Sequence, residues 1–409
     1  MTGSIAGVDV HKRVLMVVLS QASAEGRPQR RRFGATSVEL ERLAEWFQQQ
    51  GVEEVVMEST AQYWKPVWLA LEGRFRLYLA QAWSNRAPRG KKSDFKDAER
   101  LVRRYLAEEL TLSFVPDADQ RLMRTLTRRR TQLTRDRVRI QNQVESLLEE
   151  MRIKLSSVVA DLFGASGLRI LAALAAGETD AVRLATLTDA RVQRSAEEMA
   201  EALTGVITDT HRLLLAQHLD HLQLTTQQMD QLSLATGRLM AEHSHAITRL
   251  AEIPGIRTLS AQQIVAEAGP HASAFASAAK FSAWIGVSPG RNESAEQNHS
   301  SRCAKGNQYL RRVLCQASQA AVRTKNSFFQ QKFRRLLPRL GYTKAIWAIA
   351  RHLSVVIWKI LHDAVRYIEY GLSTTPQAAR RRLQRLRKEL RALGYSDELR
   401  PLHPESALP

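Results

Sequence analysis

The sequence predicts an α/β domain over about residues 1–115, a long helical middle, and an all-α C-terminal domain. Three observations carry this. β-Branched and apolar runs alternate with helical periodicity in the first hundred residues, apolar residues then recur every seven positions in two later stretches, and the last third holds helical patterns parted by glycine and proline. At 409 residues the chain exceeds one core, so two or three domains are expected.

Ser4 to Val10 and Val14 to Ser20 are apolar or β-branched with a polar break at His11 to Arg13, which reads as strand, tight turn, strand. A third short strand ends near Phe33. Val38 to Gln50 has helical spacing through Leu40, Leu43, Trp46 and Phe47, and Glu54 to Met57 is a buried-type strand ending in Glu58. A helix over Tyr63 to Leu71 and a strand over Arg76 to Ala80 follow. The basic, proline-bearing loop Trp83 to Lys92 then leads to a helix that starts near Asp94, with Ser93 as its cap.

Lys and Arg number 60 against 41 Asp and Glu, a formal net charge of +19, which points to a polyanionic partner such as nucleic acid. A membrane is disfavoured, because no apolar run reaches about 18 residues and Ala345 to Leu361, the nearest, is broken by Arg351, His352 and Lys359. No signal peptide is legible at the N-terminus, so a cytoplasmic protein is expected. Cys303 and Cys315 have the spacing of neither a zinc knuckle nor a redox pair.

Four carboxylates stand out. Asp94 and Asp97, three apart beside Lys91, Lys92 and Lys96, share a helical face in a first turn where the dipole favours negative charge. An ordinary acidic first turn on a solvated helix has the same spacing. Asp9 lies within Gly7-Val8-Asp9-Val10, where burial is costly unless the carboxylate is paired or bound to metal; Glu58 ends its strand in the same way, or caps the next helix. Acids at strand ends, in an order of three strands and then alternating helix and strand, are how an RNase H-like nuclease fold presents metal ligands.

The series GVDVHK, VVMESTAQYWKP and KKSDFKDAERL resembles the DEDD signature of the bridge-RNA-guided insertion-sequence transposases, whose N-terminal domain is similar to the RuvC Holliday-junction resolvase; pilin-gene invertases share the pattern. The resemblance implies that Asp9, Glu58, Asp94 and Asp97 bind metal, Mg²⁺ with Mn²⁺ as a substitute. The residues themselves lead to the same four.

Between Asp119 and about Leu155, Leu126, Leu133, Ile140 and Leu147 form a heptad stripe, with Val144 and Met151 in an offset register, which predicts a long coiled helix. Its other face carries arginines from Arg128 to Arg139 that either grip phosphates or keep the helix soluble. A partner stripe through Leu215, Leu222 and Met229, with Leu219, Met240 and Ile247 offset, marks a second long helix that packs on the first or across a dimer. Residues 158–210, between them, read as short amphipathic helices without chemistry. The coiled-coil region is placed at 116–249.

Leu250 to Ile256, with Gly255 at the turn, followed by a helix from Leu259 to Ala268, reads as a helix-hairpin-helix that holds a phosphate on exposed amides, or as an ordinary inter-helix turn. It opens a helical domain over 250–372. After a helix ending at Ile285 comes a polar loop from Val287 to Asn307, containing Arg291, Arg302 and Lys305 and running into Arg311 and Arg312. The loop is similar to the second conserved block of the same transposases. Gly286, Pro289, Ser294, Lys305, Gly306, Asn307, Leu310 and Arg311 occupy its places, which implies that Ser294 is the nucleophile. Ala295 stands where a glycine is common and the interval to Lys305 is short, so Ser300 and Ser301 stay open as alternatives. Two apolar helices, Tyr309 to Arg323 and Tyr342 to Ile368, complete the domain. A tail over 373–409 contains a basic amphipathic helix with Arg380, Arg381 and Arg382, read as a nucleic-acid contact, as are Lys91, Lys92, Arg291, Arg302, Lys305, Arg311 and Arg312.

The expected function is cutting and rejoining of DNA strands through metal-assisted serine attack. The resemblance further implies donor and target DNA as partners, a bridge RNA that pairs with both, a homo-oligomer (a dimer or tetramer), and a bacterial, nucleoid-associated setting. A water-using junction resolvase or DNA invertase with the same acids is the enzymatic alternative. A non-catalytic nucleic-acid scaffold is the alternative of another class, and it leaves Asp9 and Glu58 without a reason.

Overall fold

Two strands of Val, Leu, Ile and Ala, turned on a polar His11-Lys12-Arg13 corner, begin the fold. In the computed structural model β1 (Ser4–Val10) and β2 (Val14–Ser20) pair antiparallel, with Asp9 opposite Met16, and His11 N–H donates to Val14 O at 3.0 Å to close the turn. The structure describes residues 4–20, 28–58, 61–85, 94–189, 194–290, 292–294, 297–300, 303 and 305–369, with short pieces of the tail at 383–384, 387–388 and 390–394. It divides into two compact units, Met1–Asp117 and Ala118–Pro409.

In the first unit β3 (Gln29–Gly34) joins the free side of β2, turning Phe33 inward and exposing its arginines, a charged edge that discourages further strand pairing. α1 (Ser37–Gln49) buries Leu40, Leu43, Ala44, Trp46 and Phe47. β4 (Val52–Glu58) returns parallel to β1. α2 (Trp64–Leu71) connects it to β5 (Arg76–Ala80), parallel to β4, and α3 (Asp94–Leu106) precedes β6 (Leu112–Ser113), antiparallel to β5. The sheet order is β3-β2-β1-β4-β5-β6. A mixed sheet of this kind fits a DEDD nuclease-like domain.

Strand alternation assigns the two faces. Val8, Val10, Leu15, Val17, Val55 and Met57 share one core with Leu43 and Phe47 of α1 and Leu71 of α2. The opposite face sets Ile5, Val56 and Ala80 against Leu101 and Val102 of α3. On that face a Cβ at Gly7 would stand 2.4 Å from Ala98 O, so glycine is what lets α3 lie directly on β1.

The second unit is mostly helical. α4 (Ala118–Glu150) packs along α9 (Asp209–Leu239), and the buried positions include Leu133, Ile140 and Leu147 on one helix and Leu215, Leu222 and Met229 on the other. Between them α5 (Leu155–Val158), α6 (Ala165–Ala175), α7 (Ala181–Thr186) and α8 (Ala196–Leu203) close a satellite core around Met151, Ile170, Leu171 and Leu174. The second heptad stripe is not one helix as expected. It stops at Leu239, a single 3₁₀ turn over Ala241–His243 intervenes, and α10 (Ser244–Ala251) resumes with Ile247 buried.

α11 (Thr258–Ala268), α12 (Ala278–Ile285), a short hairpin of β7 (Asn292–Ser294) and β8 (Gln297–Ser300), α13 (Gln308–Ala321) and α14 (Phe328–His362) complete this unit. The hairpin lies in the stretch read as loop, because its polar residues carry no alternation. α14 starts well before Tyr342 and is broken at Gly341 (φ 71°, ψ 168°), so its length is that of two helices. Although α14 has the length and apolarity to cross a membrane, its Ile346, Ile349, Leu353, Ile357 and Leu361 are buried in the core of this unit.

Candidate active site

The parallel pairing of β1 and β4 aligns Gly7 with Val56 and Val8 with Met57; one step further the same register puts Asp9 beside Glu58 at the carboxyl ends of both strands. Partners in a parallel ladder point to one face, and the Gly7 and Val56 face is the one α3 covers. α3 carries Asp97 one residue before Ala98, which lies over Gly7. Three of the four predicted acids are therefore on facing surfaces of one layer, and Asp94 is the first residue of the same helix. The Asp94 side chain lies outside the described ones.

Burial makes these acids costly unless they are partnered. Asp9 is 7% exposed and Asp97 8%. His11 Nε2 lies 3.1 Å from Asp9 Oδ2, too poorly aligned for a hydrogen bond, so this buried nitrogen is left without a hydrogen-bonding partner among the described residues. Arg100 Nη2 donates to Asp97 Oδ1 at 2.5 Å, while Arg100 Nε donates to Asn85 O at 3.0 Å. Asn85, itself buried, donates from Nδ2 to Glu58 Oε2 at 2.8 Å. Arg100 and Asn85 thus tie Asp97 to Glu58, two positioning residues with no motif in the sequence to announce them. Arg104 Nη1 donates to Ser84 O at 2.5 Å and fixes the segment that presents Asn85.

As a donor set the four acids suit a hard divalent cation, since each offers carboxylate oxygens. Among the described residues no three Asp, Glu, His or Cys side chains are gathered closely enough to hold an ion. Asp97 is turned to Arg100, whose guanidinium supplies the positive charge at that position. The chemistry fits a metal, with Arg100 as the group that must yield part of its hold on Asp97.

The second unit positions the serine-bearing segment. Gly286 ends α12 in the left-handed region (φ 82°), where Val287 N–H returns to Ser282 O at 3.1 Å. A Cβ on Gly306 would sit 2.3 Å from Ile285 C, and Asn307 N–H donates to Trp284 O at 3.1 Å. Both ends of the loop thus close on the last turn of α12. Ser294 is the last residue of β7 and pairs with Gln297; Ser300 lies at the other end of the hairpin, beside Asn292. The side chains of residues 292–300 lie outside the described ones, as does Ser301.

The comparisons follow this division. A family model of the DEDD-type IS110 transposases, described as "Transposase", matches residues 6–153, and a second, "Transposase IS116/IS110/IS902 family", matches 247–334. This chain belongs to that transposase family. The first match contains all four acids and the second contains Ser294, while the helices from α5 through α9 lie in neither. A "Probable family 20 transposase" of Pseudomonas aeruginosa (strain PAO1) is 25% identical over 324 residues, covering 76% of this chain and 85% of its own length. The family makes this chain a DNA-processing enzyme.

Several residues expected at nucleic acid have other work in this transposase. Gly255 (φ 84°) lies so close to α13 that a Cβ would meet Ala317 O at 2.3 Å, which gives it a packing reason. Arg311 stacks over the Trp347 ring, 4.8 Å from its centroid. Arg312 lines a cavity, and Lys305 is exposed. Lys91, Lys92, Arg291, Arg302, Arg380, Arg381 and Arg382, with Ser93, lie outside the described residues.

Sequence reasoning also missed Glu267, the penultimate residue of α11. It is 2% exposed and takes both arms of Arg128 from α4, Nε at 2.7 Å and Nη2 at 2.8 Å, with Asn307 Nδ2 at 2.7 Å. Burial draws the Arg128 guanidinium down, but the Glu267 carboxylate more than offsets this and holds it above its ordinary value. Asn307 also caps α13, accepting from Tyr309 and Leu310 N–H at 3.0 Å. One acid therefore links the long helix α4 to the end of the serine loop.

Proposed function

We propose that this transposase cuts and rejoins DNA strands as the site-specific recombinase of an insertion sequence, with Asp9, Glu58, Asp94 and Asp97 as the metal ligands and Ser294 as the nucleophile. The observation that carries the reading is the placement of Asp9 beside Glu58 at the ends of parallel strands, on the face that α3 covers with Asp97. Mg²⁺ is the expected ion and Mn²⁺ its substitute. When bound, it supplies Lewis-acid polarisation of the phosphodiester and lowers the pKa of the attacking oxygen. Arg100 and Asn85 tie Asp97 and Glu58 to one another, and Arg100 must release part of its hold on Asp97 for the acids to converge on an ion.

Ser294 Oγ attacks phosphorus, one DNA oxygen leaves as a hydroxyl with the serine proton, and the other strand end stays esterified to the serine. Attack by a DNA hydroxyl on that ester reforms a phosphodiester and returns the proton to Ser294, so rejoining needs no external energy. The closed base of the loop at Ile285 and Asn307 supports this role by limiting where the hairpin can go.

The sheet order supports an RNase H-like, RuvC-like domain, the α4 and α9 pair a coiled coil, and α10, the Gly255 turn and α11 a helix-hairpin-helix. Resemblance supports a bridge RNA that pairs with donor and target DNA, and a homo-oligomer in which the acids of one subunit act with the serine of another. Asp9→Asn tests the core of the reading. Cleavage of a DNA substrate should vanish while binding persists; a variant that still cleaves would remove the acids from the chemistry.

A further inference from the structure

Beside the Arg128 and Glu267 pair, α4, α11 and α13 enclose a cavity of about 180 Å³. At roughly 30 Å³ per water this is room for about six waters, or for a phosphate group with part of its hydration shell. Three guanidiniums, Arg128, Arg130 and Arg312, face one carboxylate, Glu267, and that carboxylate is already held by two arms of Arg128. Among the described residues no second carboxylate lines the cavity.

The donors divide the same way. The Thr131 hydroxyl is spent on Thr127 O at 2.9 Å and accepts from Gln263 Nε2 at 3.3 Å, and the Thr134 hydroxyl is spent on Arg130 O at 2.9 Å, so this wall is satisfied internally. Arg130 uses Nε on Ser233 Oγ at 2.9 Å, which fixes the side chain and leaves its two terminal nitrogens uncommitted among the described residues. The Arg312 side chain makes no hydrogen bond or ion pair to another described residue. Burial, and then the neighbouring Arg137, hold Arg130 below the ordinary arginine value, although Asp230 acts the other way. A preformed, partly enclosed pair of guanidiniums suits a tetrahedral oxyanion, for which arginine offers planar, bidentate donors.

We propose that this cavity is a phosphate subsite for a nucleic-acid backbone, with Arg130 and Arg312 as its donors. A phosphate held there lies beside Glu267, whose carboxylate accepts from Asn307, so backbone binding at α4 is coupled to the residue that ends the Ser294 loop. The inference rests on the proposed DNA reading only for the nature of the polyanion.

The test uses the full chain and three labelled probes of equal length, oligo-dT, oligo-rU and mixed-sequence duplex DNA, each titrated across salt. Arg130→Gln and Arg312→Gln should each weaken binding about tenfold at low salt, irrespective of sequence. Each should also lower the slope of log affinity against log salt by about 0.9 on the duplex or about 0.7 on a single strand. Ser233→Ala, which keeps the charge, should leave the slope alone. Loss on one probe class only identifies the strand that the subsite takes. Should Arg130→Gln melt early because α4 loosens from α9, Arg312→Gln decides, since no bond of the fold depends on it. Wild-type slopes for both variants on all three probes overturn the subsite; a wild-type chain that binds no probe overturns the nucleic-acid reading itself.

Discussion

Asp9 and Glu58 stand side by side on neighbouring parallel strands although 49 positions separate them in the chain, and the helix over them approaches so closely that Gly7 can bear no side chain. Gly7→Ala would place a Cβ 2.4 Å from a backbone oxygen of Ala98, and backbone cannot swing aside as a flexible side chain can. It should lower the thermal midpoint by several degrees and cut DNA cleavage sharply, since Asp97 moves with α3. Gly237→Ala is the control: nothing lies within 4 Å of its Cβ on α9, and helix propensity should make it neutral or stabilising by about 0.5–1 kcal/mol.

Removing one member of a buried ion pair strands the other. Glu267→Ala leaves Asn307 and the partly exposed Arg128 without their acceptor, so the unit that contains α11 should lose about 1–3 kcal/mol of stability by denaturant unfolding. An unchanged midpoint would show that water replaces Glu267 without cost.

His352 is pushed down to about 4, first by burial and then by the neighbouring Lys332 and Arg351. Its folded value lies below its unfolded value, so the unfolded chain takes up the proton first. This group's contribution is full above about pH 6.5 and is lost progressively as pH falls towards 4. His352→Gln should flatten that part of the stability profile, followed by melting between pH 7 and pH 4; a profile parallel to wild type would assign the acid sensitivity elsewhere.

The proposed carboxylate site predicts its own ion preference. Mg²⁺ or Mn²⁺ should support cleavage, chelation should abolish it, and Ca²⁺ should support little turnover, because it accepts looser geometry and is a weaker Lewis acid. Equal turnover in Ca²⁺ would argue against catalysis through these acids.

The strands bearing Asp9 and Glu58 were legible because β-branched alternation and a polar corner are local signals, and the observed bounds of β1, β2 and β5 coincide with those read from sequence. β6 was not legible. Its two residues become a strand only by pairing with Leu79 and Ala80 of β5. The first half of α14 was also missed, for it contains Pro338 and leads to Gly341, both of which read as breakers. The heptad stripe survived a break at Met240 because one 3₁₀ turn kept Ile247 facing the core. Asn85 and Glu267 could not be found in advance: each acts on a residue brought near by topology, Glu267 being 139 positions from Arg128, whereas Arg100 is only three positions from Asp97 on α3 and it is its hold on Asn85 that the sequence hides.

We propose that strand exchange needs both the four acids and Ser294. Mass spectrometry of cleavage complexes trapped on a nicked DNA substrate tests it most directly. Wild type should carry a nucleotide adduct on the peptide containing Ser294, at Ser294 rather than Ser300 or Ser301, and Asp9→Asn should carry none. An adduct that persists in Asp9→Asn, or strand exchange by Ser294→Ala with no adduct on any serine, would contradict it.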